Sequence, residues 1–498
     1  MTDTIEALLR SRSGEHRPMV IDPDTWISYA ELERSTAELA SGLLDAGIGK
    51  GTRVGLVMGN CADWVRIALA VTRMGAVLVP LSTLLTTPEL TAQLHTASVQ
   101  HLIAVPQFRG RRYTPEPVPS LRRIWTPDEI LALRGDAPSP PVRPADPLVI
   151  MFTSGSSGAP KGVLHCHGNA LAATRSGLAA RRITQDTRMY LPLPFFWVGG
   201  FGTGILTALL AGATLVTEPI PSPQATLALL RRERVTLFRG WPDQAAALAR
   251  HLGGQTLPDL QVGSLEALLP ADLRSAPGTR AALLGMTESF GPYSGYPADR
   301  DLPESARGSC GKPFPGMDVR ITDVETGRPV PAGQIGQIQI RGRHILRGIC
   351  RRSREEVFTP DGFYPTGDLG YLDPDGFLFY RGRSDDMFKV SGAGVYPGEV
   401  ERALRTIPGV RAAFVTNVPL GEHNQVGAAV VGTLSADELR TAARTVLSAF
   451  KVPTRWLLLD DEEAVPLGAT GKVDKNALRA MLGSGRGVPM ARDATTEP

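Results

Sequence analysis

Lysine is scarce in this 498-residue chain, with seven lysines against 46 arginines. Such a bias reflects coding composition, and a lysine kept against it is informative. Cysteine is scarcer still. Cys61, Cys166, Cys310 and Cys350 lie far apart with no C-x-x-C pair, which excludes a disulfide framework and a zinc site and suits a reducing cytosol. No apolar run reaches membrane-spanning length. The most apolar stretch, 202–216, contains Gly and Thr and reads as a buried helix plus strand. The N-terminus has neither a positive n-region nor an apolar h-region, so no signal peptide is expected and the cytoplasm is the expected location. Charge of one sign is also missing. A formal +3 over this length excludes a polyanion-coated nucleic-acid binder.

What is present is a globular composition, 42% hydrophobic and 21% charged, too long for one core. Ser28-Tyr29-Ala30-Glu31 is a capping box opening a helix with Leu32, Leu39 and Leu43 on one face. Strands are expected at 53–58, 76–81 and 100–105, with helices from 62 and over 88–96. This alternation predicts βαβ units and a largely parallel sheet. A proline-rich connector at 136–147 precedes a restart: a strand at 148–152, a polar loop, a helix, a strand at 189–193, a helix through 210 and a strand at 213–217. From about residue 308 short strands with Gly, Asp and Pro turns follow. Residues 386–480 read as a small α+β module, with a frayed tail over 483–498.

Residues 151–162 read Met-Phe-Thr-Ser-Gly-Ser-Ser-Gly-Ala-Pro-Lys-Gly, directly after an apolar strand. Thr153, Ser154, Ser156 and Ser157 supply hydroxyl donors, Gly155 and Gly158 let the backbone amides point inward, and Lys161 adds a point charge. Such a loop suits a polyphosphate. A Walker A loop would need Gly before the lysine and Ser or Thr after it, and Pro160 and Gly162 stand there instead.

The run Thr153–Gly162 resembles the signature loop of the adenylate-forming superfamily, which includes acyl-CoA synthetases, luciferases and peptide-synthetase adenylation domains. Further motifs occur in the same order: Gly285-Met286-Thr287-Glu288, Tyr364-Pro365-Thr366-Gly367-Asp368, Gly382-Arg383-Ser384-Asp385, Ser391-Gly392, and 466–472 ending in Gly471-Lys472. Together the resemblance spans about residues 20–480 and favours the acyl-CoA synthetase branch. It implies an α/β fold: a large N-terminal domain of α/β subdomains plus a small β-barrel-like part over 1–382, a hinge at 383–385, a small mobile α+β C-terminal domain over 386–482, and a flexible tail over 483–498.

It also implies roles. An anionic carboxylate must meet an anionic α-phosphate, so cations and positioning carry the reaction. Lys472 bridges the two, Lys161 meets the β- and γ-phosphates, and Thr287 bonds the α-phosphate. Glu288 holds Mg²⁺. Leu284, Gly285 and Met286 lie along the nucleotide, Asp368 accepts the ribose hydroxyls and Arg383 donates to the ribose. Asp385 is the pivot between an adenylating and a thioester-forming pose, and Ser391, Gly392 and Gly394 line a pantetheine tunnel in the second. Phe195, Phe196, Trp197, Gly200 and Trp241 form an acid pocket, with Trp197 where many relatives have His, and such a wall favours an apolar or aromatic acid. No acidic residue lies in 195–200 and no carrier domain follows 482, which disfavours amino-acid activation. The implied partners are ATP, Mg²⁺, CoA and a carboxylic acid or its acyl-adenylate, with no nucleic acid and no membrane span; a homo-oligomer is left open.

Two places depart from the pattern. Leu284 stands where the family usually has a tyrosine against adenine, and 261–270 lacks the usual adenine-loop glycines. Base stacking on an aromatic is worth about 1–3 kcal/mol. Two alternatives follow: an adenylation-impaired enzyme that only converts a preformed acyl-adenylate to the thioester, and a non-catalytic adenylate-binding protein.

Overall fold

The structure, a computed structural model of the chain, describes residues 3–153, 161–384, 386, 388–390, 393–420, 423–468, 472–484 and 488–489. Two compact units divide it. The first is Met1–Arg320 with Gln339–Tyr364 and Asp373–Phe379, and the second is Ile321–Ile338, Pro365–Leu372 and Tyr380–Pro498.

In the first unit the expected βαβ alternation forms a seven-stranded sheet. Its order is Gly348–Ile349, Lys161–Cys166, Pro147–Thr153, Val77–Pro80, Arg53–Val57, His101–Ala104, Arg123–Trp125. The five strands from Pro147–Thr153 onward pair parallel, whereas Lys161–Cys166 turns back antiparallel on Pro147–Thr153. A second sheet runs Leu237–Phe238, Arg188–Tyr190, Thr214–Val216, Pro18–Ile21, Trp26–Ser28. The helix Ala62–Arg73 is apolar nearly all round, because it lies inside: Trp64, Val65, Ile67, Ala68 and Leu69 are each fully buried in the main core. Ser28 caps the helix Tyr29–Asp45 as expected, its Oγ accepting from the Glu31 amide at 3.1 Å, and Leu32, Leu39 and Leu43 are buried.

Several elements differ from the sequence reading. The strand expected at 189–193 ends at Tyr190, since Pro192 and Pro194 cannot donate to a ladder. The helix through 210 is interrupted by a π-helical stretch, Phe201–Leu206, between Val198–Gly200 and Thr207–Ala211. Tyr364–Leu372 and Leu378–Arg383 are longer than expected, so Asp368 sits within a strand and not in a turn. The β-barrel-like part is corrected to open sheets. A three-stranded sheet (Leu284–Met286, Gly291–Gly295, Lys312–Pro313) and a four-stranded one (Met317–Thr322, Gly336–Gly342, Tyr364–Leu372, Leu378–Arg383) form no closed ring among the described residues.

The second unit carries a four-stranded sheet, Val410–Leu420, His423–Gly432, Arg455–Leu459, Val488–Pro489. Helices Pro397–Arg405 and Ala436–Val446 contribute to one apolar cluster with Trp456, and Lys475–Gly483 contributes to another with Leu457. Ser435 and Glu438 form a capping box at the start of Ala436–Val446.

Candidate active site

Lys161 does not sit in the loop where the sequence reading left it. It opens the strand Lys161–Cys166, paired with Thr153 at the carboxyl end of Pro147–Thr153. That end of a parallel strand is where open α/β sheets bind ligands. Ser154, Gly155, Ser156, Ser157 and Gly158 lie outside the described residues.

Four positions along the same strand, and so on the same face as Lys161, stands His165. It is fully buried, and burial pushes its pKa down to about 3, partly offset by a bond to Thr287. The ring is therefore neutral. Its Nε2 lies 2.9 Å from the Thr287 carbonyl, which can only accept, so the proton is on Nε2. Nδ1 then accepts from Asn169 Nδ2 at 2.7 Å. Asn169 is fixed in turn: Nδ2 also donates to the His344 carbonyl at 3.1 Å, and Oδ1 accepts from the Cys166 amide at 2.7 Å. The helix His167–Ser176 thereby locks the imidazole, and the imidazole locks the turn after Leu284–Met286.

That turn carries Thr287, half-buried, and Glu288, buried. Glu288 is held from two sides. Its Oε1 accepts from the Tyr364 hydroxyl at 3.0 Å, and its backbone carbonyl accepts from the Leu346 amide at 2.7 Å. Phe290, two residues on, takes φ +53°, a left-handed conformation costly for an aromatic residue, and its ring meets His165 edge-on at 4.8 Å. Gly285 is required by close packing: a Cβ there would lie 2.5 Å from the Gly291 carbonyl oxygen. Leu284 and Met286 are half-buried on the short strand. The segment lacking adenine-loop glycines is part of a core, with Leu268 and Leu269 buried in the cluster around Phe238.

Glu288 suits Mg²⁺, which takes one or two carboxylates and shares the oxygens of substrate phosphates. The carboxylate keeps a second oxygen beside the one that Tyr364 reaches.

In the second unit Asp368 and Arg383 meet. Arg383 Nη1 donates to Asp368 Oδ1 at 3.3 Å and to the Thr366 carbonyl at 2.8 Å, while Thr366 Oγ1 accepts from the Asp368 amide at 3.0 Å. Asp368 is buried and Arg383 half-buried. Gly367, at φ +75°, lets the guanidinium approach, since a Cβ there would be 2.7 Å from Arg383 Nη2. Lys472 is exposed, and its carbonyl accepts from the Gly468 amide at 2.8 Å, next to the Leu467–Val473 bridge. Asp385, Ser391 and Gly392 lie outside the described residues, and Gly394 is described only as part of the strand Ala393–Val395.

The aromatic segment divides. Phe195 is a core residue, fully buried with its ring 5.3 Å from Trp64. Gly200 is buried as well. Phe196, Trp197 and Trp241 form an edge-on series at 5.7 and 5.5 Å, and Trp241 is 39% exposed. The π-helical stretch begins four residues after Trp197, and such stretches often mark functional sites. The sequence reading missed His165 and Asn169. The available signal was a His and an Asn four apart at the junction of a strand and a helix.

The sequence matches AMP-binding enzymes over residues 10–350. The chain belongs to the AMP-binding enzyme family. This AMP-binding enzyme is 32% identical to a feruloyl-CoA synthase of an Amycolatopsis species over 95% of its own length and 98% of the relative's. It is 28% identical to a 3-hydroxybenzoate–CoA ligase of an Aromatoleum species over 94% of each. Among solved structures, ATP-bound MatB from Rhodopseudomonas palustris matches with a TM-score of 0.81 and 27% identity, covering 98% of this chain and all of that one. No helix among the described residues is long and apolar enough to cross a membrane.

Proposed function

We propose that this AMP-binding enzyme is an acyl-CoA ligase that activates an apolar or aromatic carboxylic acid with ATP and passes the acyl group to CoA. The observation that carries the reading is the Thr287–Glu288 turn, held by His165 on the strand that Lys161 opens. Glu288 would hold Mg²⁺, which would supply positive charge against the phosphates. Thr287 bonds the α-phosphate, Lys161 balances the β- and γ-phosphates, and the Asp368–Arg383 pair receives the ribose. Lys472 brings its ammonium to the point where two anions meet. A carboxylate oxygen then attacks the α-phosphorus, the bond to the β-phosphate breaks and pyrophosphate leaves. In the second half-reaction the CoA sulfur attacks the acyl carbon, AMP departs and the thiol proton passes to solvent. Rotation about Asp385 exchanges Lys472 for the segment with Ser391, Gly392 and Gly394, where the absence of a side chain at Gly392 leaves room for the thiol arm. Phe196, Trp197 and Trp241 wall the acid.

The similarity to aromatic-acid CoA ligases supports the substrate class. Leu284 and the core-packed 261–270 segment favour a second reading, in which adenylation is weak and a preformed acyl-adenylate is the working substrate. ATP–pyrophosphate exchange over a panel of acids, beside thioester formation from synthetic acyl-adenylates, separates the cases. The ligase gives both activities, the impaired enzyme thioester alone, and a binding protein neither.

A further inference from the structure

Two arginines of the first unit, Arg181 buried and Arg239 half-buried, have no carboxylate partner among the described residues. Arg181 is 6% exposed, and its Nε donates to the Gly177 carbonyl at 3.1 Å and its Nη2 to Thr207 Oγ1 at 3.2 Å. Arg239 is less satisfied: Nε and Nη2 are both shut off from solvent with no hydrogen-bond partner. Neither arginine forms an ion pair with any of the described residues. Burial pushes the two guanidiniums down to about 9 and about 10, and the charge of Arg239 lowers Arg181 further, so both remain cations at neutral pH. A buried cation with open donors is costly unless an anion joins it. Removing the anion from such a pair usually destabilises a protein, yet here none of the described residues supplies one.

The position of Arg239 indicates where the anion comes from. Its amide donates to the Tyr190 carbonyl at 3.0 Å, extending the strand Leu237–Phe238 by one residue at its carboxyl end. Tyr190 and Phe238 are register partners and turn their rings to the cluster with Leu248. Alternation puts Arg239 on the opposite face, with Leu237, toward the main core between the sheets. Its neighbours there are small: a Cβ at Gly263 would lie 3.9 Å from Nη2 and 3.3 Å from the Ala298 methyl. Two residues beyond Arg239, Trp241 packs on Trp197. Thr207, the partner of Arg181, opens the last part of the helical segment that starts at Val198 beside Trp197. Both guanidiniums are therefore tied to the elements that carry the aromatic wall.

We propose that Arg239, with Arg181 behind it, binds a second anionic group on the acid substrate, remote from the carboxylate that is activated. The substrate class is then an aromatic or alicyclic dicarboxylic acid. This inference rests on the ligase reading, because the anion arrives as part of the acid.

The test uses the full-length enzyme and three acids on one carbon skeleton, ending in a carboxylate, a ketone or a methyl group. Acid-dependent pyrophosphate exchange is measured for wild type, Arg239→Met and Arg239→Lys, beside melting curves with each acid alone. Wild type is expected to favour the dicarboxylate over the methyl-ended acid by at least about 100-fold in kcat/KM, as for sites built around a polar group of the substrate. Arg239→Met should erase that preference, and Arg239→Lys should keep part of it. A wild type that uses the ketone as well as the dicarboxylate overturns the inference, as does an Arg239→Met enzyme of unchanged selectivity. If no acid supports exchange while the dicarboxylate still raises the melting temperature of wild type and not of Arg239→Met, the ligase reading falls and the anion site stands. Absence of that shift as well overturns the site.

Discussion

His165 donates its Nε2 proton to the backbone carbonyl of Thr287 at 2.9 Å, joining the strand that begins at Lys161 to the turn that bears Glu288. The bond acts on position, because neither partner's reactive group is consumed by it. His165→Leu leaves the buried carbonyl without this partner, a loss of about 1–3 kcal/mol. A misplacement of about 1 Å at a reacting centre costs about 100-fold. Pyrophosphate exchange should therefore fall about 10- to 100-fold in kcat, with the Mg²⁺ concentration for half-activity rising. An unchanged Mg²⁺ dependence would reduce His165 to a packing residue.

The same histidine makes stability pH-dependent, and the sign follows from its burial. An unfolded His titrates near 6.5, whereas His165 in the fold is held at about 3 by desolvation. Between those values the unfolded chain binds a proton that the folded one refuses. Stability is thus fully present above about pH 6.5 and declines as pH falls, by about 1.4 kcal/mol per pH unit for one such group. His167, lowered to about 4 by burial, acts in the same direction. Urea midpoints measured from pH 7 to pH 5 should drop for wild type and drop less steeply for His165→Asn. Parallel slopes would contradict the assignment.

Asp368 and Arg383 should govern affinity for the nucleotide more than turnover. Asp368→Ala removes a charged acceptor, and hydrogen bonds to charged groups contribute about 1.5–3 kcal/mol. The KM for ATP should rise about 10- to 150-fold. Gly367→Ala should raise it too with both side chains unsubstituted, since the new methyl meets the Arg383 guanidinium at 2.7 Å. A variant with normal KM and a lower melting temperature would confine the pair to structure.

Much of this was legible in the sequence. The Ser28 cap, the βαβ alternation and the motif containing Thr287 and Glu288 are local patterns, and local patterns survive folding. The strand Lys161–Cys166 was not legible, because Gly162 and His165 are poor strand signals and its partner Pro147–Thr153 is what fixes it. Phe195 read as pocket wall because composition cannot say which of three adjacent rings meets Trp64. The π-helical stretch Phe201–Leu206 has no signal distinct from an ordinary helix. Arg239 reads from sequence as one arginine among 46, and only the fold shows that its Nε and Nη2 are shut off from solvent without a partner.

Gly392→Leu should separate the two half-reactions. A side chain in the proposed thiol tunnel blocks thioester formation, while exchange, which needs no CoA, continues at the wild-type rate. Equal loss of both would remove Gly392 from that role.

The most direct test concerns the proposal that Lys472 and Lys161 act on a single triphosphate. Lys472→Ala is assayed with the acid giving the fastest wild-type exchange, and again with that acid's synthetic adenylate and CoA. Exchange should fall at least about 100-fold, the scale of one lost transition-state charge contact, while thioester formation from the adenylate stays within a few-fold of wild type. Exchange that persists, or both activities lost together, would contradict the account.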